Sequence, residues 1–146
     1  MRLRTMLPEL EGATAWLNSG EIKRKDLVGS PILVHFWSIS CDLCKRDMLV
    51  LNQICEQYLD HWRVISVHTP LSDEDKNQEE VRRVADEHEI YRPVLIDHED
   101  RLSKIFRIRH VPAYYLFDGE GRLRHYQSGG GGLSLLRRRM DRLSGQ

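Results

Sequence analysis

The chain has 146 residues, 40 % of them hydrophobic and 30 % charged, a composition that supports a folded core and is too apolar for general disorder. Lys plus Arg and Asp plus Glu each number 22, so the charge totals argue against broad binding of nucleic acid or anionic membrane. Three cysteines are too few, and odd in number, for a secreted disulfide scaffold. No run approaches the roughly 20 apolar residues of a membrane span. The first residues, broken by Arg2, Arg4 and Pro8, lack the apolar stretch of a signal peptide. The expectation is a single cytoplasmic domain, 1–146, with no membrane and no nucleic-acid partner.

The N-terminal segment reads as loose and turn-rich, through Leu7-Pro8-Glu9-Leu10-Glu11-Gly12 and Asn18-Ser19-Gly20, with Ala15 to Leu17 as a short edge strand. Gly29-Ser30-Pro31 is a stop. Ile32 to Trp37 (ILVHFW) is apolar on both faces, the mark of a central strand covered on two sides. A helix is expected from about Asp42 to Leu59, its inner face formed by Met48, Leu51, Ile54, Cys55, Tyr58 and Leu59. Arg63 to His68 is a second core strand. Ser72 to Glu89 reads as a loop and then a helix with Val81, Val84, Ala85 and His88 along one side. Val94 to Ile96 is a third strand, followed by a short helix carrying Leu102, Ile105 and Phe106. Ala113 to Phe117, a turn at Asp118-Gly119-Glu120-Gly121 and Leu123 to Gln127 form a hairpin. Ser128 and four glycines form a flexible joint before a last helix, Leu133 to Leu143. Strands alternating with helices and ending in a hairpin predict an α/β fold, a mixed sheet with helices on both faces.

Charge is uneven within the neutral total. Residues 73–89 hold eight acids and three bases, and residues 101–146 hold ten bases and three acids. Two solvated faces of one domain account for this. A basic docking surface at Arg137, Arg138, Arg139 and Arg142 is the sharper alternative, without any aromatic stacking pattern for nucleic acid.

Cys41-Asp42-Leu43-Cys44 carries the chemistry. A Cys-x-x-Cys pair serves zinc or dithiol redox chemistry, and zinc needs about four ligands, for which no second pair exists. Cys55 lies about three helical turns beyond Cys44, too far to share a metal or a disulfide with it, and reads as a core thiol. The pair sits where a buried strand ends and a helix begins. Unpaired first-turn amides and the positive end of the dipole stabilise a thiolate there. Lys45 and Arg46 add to the effect and Asp42 opposes it. Cys41 is expected at the exposed tip, with Cys44 one turn inside.

Phe36-Trp37-Ser38-Ile39-Ser40-Cys41-Asp42-Leu43-Cys44-Lys45 resembles the active-site segment of the thioredoxin superfamily, and Val111-Pro112-Ala113 resembles its cis-proline loop. The opening Leu-Pro-Glu-Leu with its N-terminal extension, and the helical insertion between core strands at about Ser72 to Glu89, resemble the TlpA/ResA-like thiol-disulfide oxidoreductases. The resemblance implies a thioredoxin-like domain in which Cys41 attacks a disulfide and Cys44 resolves the intermediate. It implies a cis Val111–Pro112 bond beside Cys41, with Trp37, Val111 and His110 on the substrate side. No cofactor or metal is expected; the partners are protein disulfides or dithiols and a thiol electron donor. The departures are Asp42-Leu43 for the usual Gly-Pro, Leu49 for a helix-kinking proline, and Ser40 for a tryptophan. Asp47 stands where many relatives carry a tuning glutamate. His35 replaces a buried aspartate, so it is expected neutral and in a proton-handling role for Cys44, with a purely structural histidine as its alternative. The same residues allow two other readings. A peroxiredoxin-like thiol peroxidase would use Ser38-Ile39-Ser40-Cys41. A metal-binding or metallochaperone module would use Cys41, Cys44 and a histidine such as His110.

Overall fold

A strand that is apolar on both faces belongs inside a sheet covered on two sides. In the computed structural model, which describes residues 1–145, every residue of Ile32–Trp37 is buried. The strands are β1 (Ala15–Leu17), β2 (Ile32–Trp37), β3 (Arg63–His68), β4 (Val94–Ile96), β5 (Ala113–Phe117) and β6 (Leu123–Ser128). They form one sheet in the order β1-β4-β3-β2-β5-β6. β2, β3 and β4 run parallel, and β1, β5 and β6 pair antiparallel at the two sides. The helices are α1 (Arg24–Leu27), α2 (Asp42–Gln57), α3 (Gln78–Glu87), α4 (Arg101–Phe106) and α5 (Leu133–Ser144), with a 3-10 turn at Asp73–Lys76. Among the described residues, no helix is long and apolar enough to cross a membrane.

Alternation along β2 divides two cores. Leu33 and Trp37 face α2, α3 and α5, where Cys44, Met48, Leu51, Ile54, Leu136 and Met140 are buried. Ile32, Val34 and Phe36 face Leu27, Leu102, Phe106 and the N-terminal segment. That segment is not loose. Leu7 and Leu10 are buried, and residues 4–7 bind the hairpin through Arg4 N–H to Leu123 O, Leu123 N–H to Thr5 O and Leu7 N–H to Gly121 O, each 2.8–2.9 Å. Gly121 has φ +83°, and a Cβ there would lie 2.8 Å from the Met6 sulfur, so the turn accepts the extension only as glycine.

Helix α2 ends at Gln57, short of Leu59, which is 72 % exposed. Tyr58 caps the helix by donating its N–H to Ile54 O at 3.1 Å, and beyond that point the helical period no longer sets which side faces inward. Helix α4 buries Leu102 and Phe106 and leaves Ile105 exposed on its outer side. The glycine segment is likewise no free joint: Gly129 N–H donates to Pro112 O at 2.8 Å and Gly131 N–H to Asp47 Oδ2 at 2.9 Å.

Candidate active site

Strand β2 delivers the chain to the sheet's C-terminal end, where Ser38–Ser40 turns it into α2. Cys41 is the N-cap of α2: its backbone is extended and its sulfur accepts the Cys44 N–H at 3.1 Å. Cys41 and Cys44 form a disulfide with Cα atoms 5.3 Å apart. Cys41 is 8 % exposed and Cys44 1 %, so the outer cysteine is the more accessible of the two but is not the open tip expected of it. The Val111 carbonyl oxygen lies 3.5 Å from the Cys41 sulfur, and the Val111–Pro112 bond is cis. The Cys44 amide and the helix's positive end meet charge at Cys41 Sγ directly.

The turn before Cys41 is held from two other elements. Ile39 N–H donates to His68 Nε2 at 3.2 Å, which places the ring proton on Nδ1. Ser38 and Ser40 donate their hydroxyls to the same Asp75 oxygen at 3.0 and 2.7 Å, and Leu71 N–H donates to it at 2.8 Å. Asp75 belongs to the insertion and is buried. Its carboxyl lies below the usual range: burial pushes it up, but the Ser40, Leu71 and Ser38 hydrogen bonds and nearby His68 together outweigh that. His68 is lowered to about 4, by burial first and by neighbouring His98 second. Neither residue was singled out in the sequence. Asp75 is one of eight acids in a run that reads as solvated surface, and its burial has no local signal; His68, closing an apolar strand, carries a weak one.

His35 lies on the α2 face of β2, fully buried, stacked on Tyr114 at 5.2 Å, with Nδ1 2.9 Å from Ser66 Oγ. Arg92 Nε donates to the same Ser66 oxygen at 2.7 Å, and its other nitrogens reach Asn52 Oδ1 at 2.7 Å and the Met48 sulfur at 3.5 Å. Burial first, and the Arg92 charge second, hold the His35 imidazole well below its usual pKa, so it is neutral at pH 7.

Asp47 is half-buried and accepts the Gly131 N–H, tying α2 to the glycine segment. Trp37, expected on the substrate side, is fully buried with its ring edge-on to His68 at 5.2 Å. His110 is exposed and lines a groove with Arg107, Tyr115 and Tyr126. Among the described residues no three His, Cys, Asp or Glu side chains are placed to hold a metal ion. Cys55 is a half-buried free thiol whose pKa burial pushes up, with Arg92 opposing.

A redox cysteine pair capping a helix, opposite a cis-proline loop on this sheet, defines a thiol-disulfide oxidoreductase of thioredoxin-like fold. The chain belongs to the AhpC/TSA family, whose model matches residues 4–126. It is 44 % identical over 144 residues to the thiol-disulfide oxidoreductase YkuV of Bacillus subtilis (strain 168), covering 98 % of this chain and 97 % of that protein. The solution structure of a thioredoxin-like protein in the oxidised form superimposes with a TM-score of 0.90 at 44 % identity, covering 99 % of this chain and 98 % of that one. The crystal structure of a thioredoxin-like superfamily protein gives 0.86 at 25 % identity, with 97 % of each chain covered.

Proposed function

We propose that the 146 residues act as one domain that reduces protein disulfides, with Cys41 as attacking and Cys44 as resolving thiol. The observation that carries this is the Cys41–Cys44 disulfide at the start of α2 with the Val111 carbonyl 3.5 Å from the outer sulfur. In the dithiol form, Cys41 thiolate attacks one substrate sulfur, forming a mixed disulfide and expelling the other as a thiolate that takes up a proton. Cys44, deprotonated, then attacks Cys41 Sγ and expels the second substrate thiolate, leaving the Cys41–Cys44 disulfide. A small thiol or dithiol donor returns two electrons and two protons. The Val111 backbone and Pro112 line the place where an extended substrate strand would lie, and exposed His110 borders it.

His35 and Asp47 take positioning rather than proton-transfer parts. The same burial and Arg92 charge that keep His35 neutral oppose its taking the Cys44 proton. Asp47 holds the glycine segment against α2. A cytoplasmic setting, consistent with so few cysteines, sets the direction toward reduction, and subcellular fractionation tests it. The function is tested with Cys44→Ser. That variant must accumulate a mixed disulfide through Cys41 with a disulfide substrate such as insulin, while the parent turns over. Turnover of the variant at the parent rate overturns the assignment of Cys44.

A further inference from the structure

The insertion between β3 and β4 is built into the active site through one side chain. Asp75 is 4 % exposed, yet three donors converge on its Oδ2: the Ser38 and Ser40 hydroxyls and the Leu71 amide. Ser38 in turn closes the turn by accepting the Cys41 N–H on its carbonyl at 3.1 Å. A buried carboxylate with three donors is fixed in place, and a fixed charge acts on whatever charge develops beside it. Ser40 is bonded to Cys41, so the carboxylate lies within roughly 12 Å of the Cys41 sulfur by chain geometry.

No salt bridge among the described residues involves Asp75. The groups facing it are the neutral His68 of β3 and the turn's own hydroxyls; Lys76, next in sequence, points to Asp73 at 3.4 Å. Helix α2, which begins after Cys41, carries Asp42, Lys45, Arg46 and Asp47 in its first two turns. Cys41 therefore sits between a helix terminus that favours a thiolate and a buried negative charge that disfavours one.

We propose that Asp75 is a positioning residue for the redox pair: its buried negative charge holds the turn that presents Cys41, opposes the thiolate there, and so biases the pair toward the disulfide. This rests on the reading of Cys41 as the reactive thiol. Destabilising the thiolate destabilises the reduced form, which makes the reduced protein a stronger donor of electrons to substrate disulfides. The insertion, on this account, sets how reducing the enzyme is.

The test replaces the charge while keeping an acceptor. In a Cys44→Ser background, the pH midpoint of iodoacetamide alkylation of Cys41 is read for Asp75, Asp75→Asn and Asp75→Glu. The Asn variant is expected to titrate about 0.5 unit lower, and the Glu variant to stay with the parent. In the two-cysteine protein, equilibrium with glutathione is expected to shift about threefold toward the dithiol in Asp75→Asn, equivalent to about 14 mV. Should Asp75→Asn not fold, Asp75→Ser carries the same expectation, its smaller side chain leaving room for water. A folded neutral variant whose midpoint and glutathione equilibrium equal the parent's overturns the proposal while leaving the Cys41 assignment intact. A parent in which Cys41 is not the thiol alkylated first overturns that assignment instead, and this inference with it.

Discussion

His68 makes this protein sensitive to acid through its own active-site turn. Its ring is buried, and Nε2 must stay unprotonated to accept the Ile39 N–H. Burial and His98 lower its pKa from 6.5 to about 4 in the folded state. The unfolded chain then binds a proton more readily than the folded one between those values, so folding stability is full above pH 6.5 and is lost as pH falls toward 4. The loss from this one residue works out at about 2 kcal/mol at pH 5 and about 3 kcal/mol at pH 4. Urea unfolding of the parent and of His68→Gln at pH 7, 6, 5 and 4 measures it. Gln keeps an acceptor for Ile39 and cannot take up a proton in this range. The parent is therefore expected to lose stability more steeply than the variant, by about those amounts. Parallel stability curves for the two proteins from pH 7 to pH 4 would refute the reasoning.

Leu7→Ala is expected to cost about 3 kcal/mol, because the side chain is completely buried against the sheet face opposite the cysteines; its glutathione equilibrium should match the parent's, and a loss below about 1 kcal/mol in urea unfolding would mean the N-terminal segment is not docked. His35→Leu, if folded, is expected to resolve a pre-formed Cys41 mixed disulfide at the parent rate from pH 5 to pH 8 in rapid-quench measurements; selective slowing would give His35 the proton-handling part. Asp47→Ala removes the acceptor for Gly131 N–H and should lower stability by about 1 kcal/mol while speeding amide exchange at Gly131; unchanged exchange there would refute the tie.

Much of the site was legible in local sequence because its chemistry is local. Cys41 and Cys44 are three residues apart, and their place between an apolar strand and an amphipathic helix follows from hydrophobic period alone. The alternation of Ile32–Trp37 sets His35 on one face with Leu33 and Trp37, since a strand's two faces are fixed by residue parity, but which of two equally apolar faces meets α2 is decided by the packing. Trp37 shows the limit of that reasoning: the same parity turns it inward, and the substrate-side role came from resemblance rather than from the strand. The end of α2 was less legible, as Leu59 shows, because a periodic pattern does not say where the helix stops.

Long-range partnership was decided only by the tertiary structure. The turn-rich composition of the first residues says nothing of their pairing with the hairpin at residues 121–123, and four glycines read as a joint until Asp47 and Pro112 are seen to hold them. Arg92 is an ordinary loop arginine until folding brings Ser66, Asn52 and Met48 around its guanidinium. Asp75 is indistinguishable from its seven acidic neighbours until the insertion lays it against Ser38 and Ser40. Hydrophobic periodicity is a property of neighbours along the chain and can be read there. Whether a charge is solvated or buried depends on which distant segment covers it, and only the packed sheet with its insertion in place determines that.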